Sequence, residues 1–350
     1  MKKVFSLLIL VSMLLSIASC GGDTHNDDIQ GAVESDFPTT EQSEPENDDS
    51  TIPTDTESAT TEAVAFDKEK FVYKHVIIFG IDGMGTFHTK IDTPNIDRIF
   101  ADAALTNVAK TTYPFATGTC WLSAFMGVDF YEGLTLAQNP ADDQPKVNEK
   151  YKKANQMFPT IFVLTNQKYP DAKIASFATW QPMNKYVISD DGNIHKEFLD
   201  WSDLKLKTRA VEYIKEDKPT LLFLHFDSVD GKGHKVGYQT EEYFKQLTIV
   251  DGYLGEVYDA VVEAGIADET LFILATDHGG IETKHGNQNV PEVNTVTLGF
   301  KGKTITNMKD FNMELKDIAP IVVYALDLEA SPKWKTAKVP EGLFSDMASK

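Results

Sequence analysis

Only two cysteines, Cys20 and Cys120, occur in 350 residues. That excludes a disulfide-stapled scaffold and any zinc site built from several thiolates. Basic residues are scarce as well. The 33 Lys and Arg face 53 Asp and Glu, for a net charge of −20. Such a balance argues against a nucleic-acid polymer or an anionic lipid face as the main partner. A small anionic substrate stays open, because a bound metal can reverse the local field. Internal repeats are missing, and so is an apolar run suited to a mature membrane span. The run from Val4 to Ala18 is too short and too N-terminal for that.

What is present divides into three zones. Residues 1–19 read as an export signal: Lys2 and Lys3, then the apolar run, then Ile17-Ala18-Ser19 before Cys20. Small residues ahead of a cysteine resemble a bacterial lipoprotein signal, with Cys20 as the lipidated residue and the mature protein anchored on the extracytoplasmic face. Residues 20–65 read as a tether. This stretch holds 13 of the acidic residues, no Lys or Arg, many Ser and Thr, and Pro38, Pro45 and Pro53. Such a sequence buries too little apolar surface to offset the entropy of ordering it. Residues 66–350 read as one folded domain, with or without a cap. With 31 basic and 40 acidic residues, it is only mildly acidic.

Within that domain strands and helices alternate. Val72–Ile81, Lys173–Thr179, Thr220–Phe226 and Thr270–Thr276 are short buried-strand runs. Thr93-Pro94 predicts a helix start, Thr as cap and Pro in the first turn, running to about Ala103. Phe244, Leu247, Val250, Leu254, Val257 and Val261 lie on one face of a helix over about Thr240–Ala264, stopped by Gly265. The expectation is an α/β fold with a mostly parallel central sheet and helices on both faces. The stretches 131–158 and 181–202 lack clean periodicity and read as insertions, forming a small cap that shapes a substrate pocket.

Chemistry in such folds gathers at the carboxyl ends of the strands. Three strand ends deliver Asp and His together: Asp82-Gly83; Asp227 through His234, with Asp230; and Asp277-His278, followed by His285. Carboxylate and imidazole without thiolate suit zinc or another divalent transition ion. Asp230 and His234 stand four apart, one helical turn, and so aim at one point. Six such residues exceed one tetrahedral shell and divide better between two ions. Taken singly each is weak, since Asp-Gly after a strand is usually a turn and histidines often sit in ordinary loops. His25, His75, His88, His195 and His225 have no such pattern and carry no assignment. Thr117 follows a proline turn and opens a helix, where a hydroxyl meets free backbone N–H groups and the positive end of the dipole. Trp121 reads as core packing, and Trp180 and Asn184 as candidate pocket residues.

The order of these blocks resembles the alkaline phosphatase superfamily, most closely its type I phosphodiesterase/nucleotide pyrophosphatase branch. The matching blocks are Ile81-Asp82-Gly83, Thr93-Pro94-Asn95-Ile96-Asp97-Arg98, the Pro114–Gly127 segment, Asp230-x-x-Gly233-His234-x-x-Gly237 and Asp277-His278-Gly279. Asp317 to Leu326 resembles the superfamily's closing helix. The resemblance implies Thr117 as nucleophile. It implies one divalent ion on Asp82, Thr117, Asp277 and His278, and a second on Asp230, His234 and His285. Zinc is the expected ion, with manganese as the alternative. Where that branch carries an asparagine that contacts a phosphate oxygen, this chain has Thr119, Cys120 and Trp121. The implied activity is hydrolysis of a small phosphorylated substrate through a phospho-threonine intermediate. A phosphomonoesterase or phosphoryl transferase of the same superfamily is the alternative, and a non-catalytic surface lipoprotein the second.

Overall fold

The computed structural model describes residues 70–130, 154, 158–188, 190–286 and 288–347. The export signal, Cys20, the tether and most of the 131–158 stretch of the cap lie outside the described residues. In chain order the elements are β1 (His75–Ile81), α1 (Pro94–Phe100), β2 (Ala104–Lys110), α2 (Thr117–Met126), α3 (Ile161–Lys168) and β3 (Ile174–Ala178). Then follow β4 (His195–Phe198), α4 (Asp203–Asp217), β5 (Leu221–Phe226), α5 (Ser228–Val236) and α6 (Glu241–Glu263). The chain closes with β6 (Thr270–Ala275), α7 (Pro291–Asn294), β7 (Thr295–Lys301) and α8 (Ile318–Ala325).

Seven strands form one sheet in the order β2-β7-β6-β1-β5-β3-β4. The pairs from β6 through β4 are parallel, while β7 runs antiparallel to both of its neighbours. Side chains alternate across the sheet, so each strand feeds two cores. Ile77, Phe79 and Ile81 of β1 join Leu222 and Leu224 beneath α1, α4 and α6. Val76, Ile78 and Phe223 face the opposite way, against α2, α3 and α8. Burial on both faces explains why the central strands read as continuous apolar runs rather than alternating ones.

The α6 stripe behaves as its spacing predicts except at Phe244, which is only partly buried. Leu247, Val250, Leu254, Val257 and Val261 are all buried, and the Thr240 hydroxyl caps the helix by accepting from Tyr243 N at 3.3 Å. The start of α1 differs. Pro94 opens the helix, but the Thr93 side chain makes no capping bond. Asp251 of α6 does the capping: Oδ2 accepts from Asn95 N at 3.1 Å and Oδ1 from Ile96 N at 2.9 Å. A charged acceptor on a neighbouring helix outcompetes the local hydroxyl. The helix also ends at Phe100, short of Ala103.

The 181–202 stretch is not an insertion on a cap. It contains a short π-helical turn, Met183–Val187, and the edge strand β4, whose pattern was too short to show periodicity. Asn184 is structural there, its amide donating to Ser176 O at 2.9 Å and Glu197 O at 2.8 Å. Among the described residues no helix is long and apolar enough to cross a membrane.

Candidate metal centre

Sheet order places the three chemistry-bearing strand ends side by side. β1 lies between β6 and β5, with Gly80 opposite Ala275 and Ile81 opposite Phe226. Continuing that register sets Asp82 level with Asp277 on one side and Asp227 on the other. The chain turns at Gly83, whose φ of +68° suits glycine. A Cβ there would also lie 2.5 Å from Asp230 Oδ1. The turn therefore needs glycine twice over, for conformation and for room.

Four donor atoms converge beyond these ends. Thr117 Oγ1 is 3.4 Å from both Asp82 Oδ1 and His278 Nε2. His278 Nε2 is in turn 3.4 Å from Asp82 Oδ1 and 3.4 Å from Asp277 Oδ2. These separations are long for hydrogen bonds, but they suit atoms sharing a cation. Ligands about 2.0–2.1 Å from one tetrahedral zinc stand roughly 3.3–3.4 Å apart. His278 Nδ1 lies 3.0 Å from Gly279 O. A carbonyl only accepts, so Nδ1 carries the proton and Nε2 presents its lone pair to the site. Asp277 Oδ1 is held by Gly83 N and His278 N, while Oδ2 is buried with no hydrogen-bond partner. Burial first, and then neighbouring carboxylates, push both Asp82 and Asp277 well above the usual carboxylate range. Burial likewise drives His278 well below the ordinary histidine value. Buried carboxylates crowded with neutral imidazole need positive charge, and a divalent ion supplies it. The donor set therefore fits a metal.

A second set stands beside it. His234 Nε2 is 3.1 Å from Asp230 Oδ2 and 3.0 Å from His285 Nε2. Both outer nitrogens are held by carbonyls, His234 Nδ1 by Thr283 O at 2.9 Å and His285 Nδ1 by Phe115 O at 2.6 Å. Each histidine thus turns Nε2 toward the carboxylate. Two lone pairs so close repel unless a proton or a cation lies between them. A proton on His234 would serve. Burial works against charge on His234, but Asp230 outweighs it and raises the imidazole to about 9. Burial likewise opposes ionisation of Asp230, and the hydrogen bond from His234 with the charges of His285 and His234 holds it well below the carboxylate range. A divalent ion would take that proton's place. Phe115 N also donates to Gly286 O at 3.0 Å, tying the His285 loop to the segment that carries Thr117.

All seven residues assigned to metal or nucleophile in the domain thus meet at one end of the sheet. Sequence reasoning missed Tyr238. Its hydroxyl donates to Asp230 Oδ1, leaving Oδ2 for His234. Gly233 and Gly280 make room for the ring, since a Cβ at either would come within 2.5 Å or 2.4 Å of it. Tyr238→Phe is expected to weaken binding of the second ion about 10- to 100-fold, as loss of an outer partner does in metal sites. Titration calorimetry with zinc checks this, and an unchanged affinity would remove Tyr238 from the site.

Two further residues stand close. His225, left without a role by its place in a strand, is fully buried, with Nε2 3.0 Å from Asp82 Oδ2. Asp227, at the start of α5, belongs to the same cluster. Asp203 braces that helix start, accepting from Thr179 Oγ1 at 2.8 Å and from the Ser228 amide at 3.3 Å. Trp121 is core, packed against Phe223 and the edge of His225. Trp180 is half-buried, its ring centroid 6.2 Å from that of His225. Cys120 is buried and its thiol is pushed far up, first by burial, so it is inert rather than reactive.

Comparison with known proteins agrees with this geometry. The sequence profile described as type I phosphodiesterase / nucleotide pyrophosphatase matches residues 136–345. That range contains Asp230, His234, Asp277, His278 and His285, while Asp82 and Thr117 lie upstream of it. No curated protein sequence matches the chain. Among solved structures it is similar in fold to murine ectonucleotide pyrophosphatase / phosphodiesterase 5, also solved as an inactive form in complex with AMP. Both murine structures are 14% identical at a TM-score of 0.61, covering 74% of this chain and 96% of theirs. The human counterpart is 13% identical at a TM-score of 0.61, with the same coverage of 74% and 96%. With the profile spanning more than half of its length, the chain belongs to the type I phosphodiesterase / nucleotide pyrophosphatase family, metal-dependent hydrolases of phosphoester bonds.

Proposed function

We propose that the chain is an exported, lipid-anchored phosphodiesterase or pyrophosphatase with two divalent ions, zinc in both centres, and Thr117 as nucleophile. The observation that carries this reading is the position of Thr117 Oγ1, at 3.4 Å from both Asp82 Oδ1 and His278 Nε2. Thr117 is the first residue of α2 and Ala116 holds the N-cap position, so the Thr117 hydroxyl is not a helix cap. Asp82, Thr117, Asp277 and His278 hold the first ion; Asp230, His234 and His285 hold the second. When bound, the ions neutralise phosphate oxygens and favour ionised oxygen nucleophiles near neutral pH. Thr117 Oγ, its proton lost to solvent, forms a bond to phosphorus in line with the leaving group, which departs with the bonding electron pair and takes a proton from water. Water then attacks the phospho-threonine from the opposite side and frees Thr117. The first turn of α2 turns backbone amides toward the transferred phosphoryl group. The substrate is a small phosphorylated molecule of nucleotide kind, in keeping with the AMP held by the murine neighbour.

The test compares bis-p-nitrophenyl phosphate with p-nitrophenyl phosphate on the full chain, fractionated from expressing cells. Faster diester turnover in the membrane fraction, moved to the soluble fraction by Cys20→Ala, is the expected result. Monoester preference would reassign the chain to the phosphatases. No turnover of either ester, with no bound metal, would leave a surface binding protein. Activity that ignores Cys20 would remove the lipid anchor.

A further inference from the structure

We propose that the surface turn Ile281–Lys284 is the positioning element of the second centre, and that it makes the ion on Asp230, His234 and His285 the exchangeable one of the pair. This rests on the reading of two ions. Ile281 N donates to Lys284 O at 2.8 Å and Lys284 N to Ile281 O at 2.9 Å, which closes a two-residue hairpin. All four residues are exposed. Glu282, the first of the two central residues, has a φ of +54°. Two-residue hairpins favour glycine, asparagine or aspartate at positive φ, because a larger residue crowds its own backbone through Cβ. Local preference therefore does not make this turn. The carbonyls of its two central residues hold it in place. Glu282 O accepts from Tyr238 N at 2.7 Å, and Thr283 O pairs with His234 Nδ1 at 2.9 Å.

One turn thus reaches all three ligands. It fixes the His234 ring directly and Asp230 through the hydroxyl of Tyr238. His285 is the residue that follows it. Gly237 lets the two segments approach, since a Cβ there would lie 3.3 Å from Glu282 O. The bonds to His234 and Tyr238 use backbone carbonyls, so no residue type in the sequence marks the role. The first centre is built differently. Asp82, Asp277 and His278 are fully buried at the ends of central strands, whereas the His234 side chain is 37% exposed. Exposed segments with few buried contacts open at lower free energy than core strands. Opening of the turn withdraws the carbonyl from His234 and frees its ring, so the second ion binds more weakly and leaves first. A bound ion, by holding His234, in turn favours the closed turn.

Titration calorimetry of the metal-free full chain with zinc tests this. Two binding steps are expected in the wild type, and His234→Ala, which removes the weaker, identifies it as the second centre. Glu282→Pro fixes φ at about −65°, which the turn cannot accept. It should weaken the weaker step about 10- to 100-fold and leave the tighter one within about threefold. Glu282→Gly removes the crowding and should bind the second ion at least as tightly as the wild type. Glu282→Val is the milder variant, since β-branched residues disfavour positive φ, and it decides the matter if the proline variant fails to fold. A turn with a merely structural role would lower Tm and treat the two steps alike. Two steps that both substitutions leave unchanged, or weaken equally, would overturn the positioning role while the paired centres stand. A single step in the wild type would overturn both.

Discussion

Thr117→Ala is expected to lower kcat on a phosphodiester by on the order of 10^3-fold or more, with KM changed only a few-fold. That loss corresponds to about 4 kcal/mol of transition-state stabilisation. The reason is specific to the site. Thr117 supplies one of four donor atoms around the first centre and is the only one of them not drawn from a carboxylate or an imidazole. Alanine keeps the helix, because the start of α2 does not depend on a side-chain cap. Substrate binding through the remaining ligands should therefore persist while bond formation fails. Thr117→Ser restores a hydroxyl at the same place and should recover much of the rate. Stopped-flow kinetics on all three proteins decides the matter. An alanine variant within tenfold of wild type would sink the nucleophile assignment and point to direct attack by water.

Chelation carries the second large effect. Removing the ions should abolish turnover and lower Tm by on the order of 10 °C, both restored by zinc. Asp82 and Asp277 are fully buried, and crowding by like charges adds to the effect of burial on each. An ion that binds only the folded chain stabilises it by about 4 kcal/mol when present at a thousand times its Kd. For a domain of this size each kcal/mol is worth about 2–4 °C. Asp277→Asn should mimic half of this, losing the first ion and the activity while the second ion stays. Scanning fluorimetry with chelator, followed by zinc, reads the shift. A Tm moved by less than about 2 °C, with activity intact, would show that the cluster holds no ion.

Much of the fold could be read along the chain because parallel strands buried on both faces and helices with one apolar face leave strong local patterns. The runs at β1, β3, β5 and β6 and the stripe on α6 are of that kind. β2 and β4 escaped because they are the edge strands, one half-exposed and the other short; β7, buried over Val296–Phe300, escaped because Thr and Gly interrupt its apolar run. Six of the seven candidate residues stood in blocks of Asp, His and Gly after strand runs; Thr117 stood at a helix start, and only the resemblance in block order suggested its role.

Local sequence could determine residue chemistry and element type: carboxylates and imidazoles at strand ends, a hydroxyl at a helix start, one turn between Asp230 and His234. Those properties depend on neighbours within a few positions. Tertiary structure decided which strand ends adjoin, by placing β1 between β6 and β5. It decided that Asp251 rather than Thr93 caps α1, that Tyr238 holds Asp230, and that His225 of β5 faces Asp82 of β1. Each of these joins residues from separate elements. Their energies come from burial and from charges brought within a few ångströms, terms that exist only once the sheet is assembled.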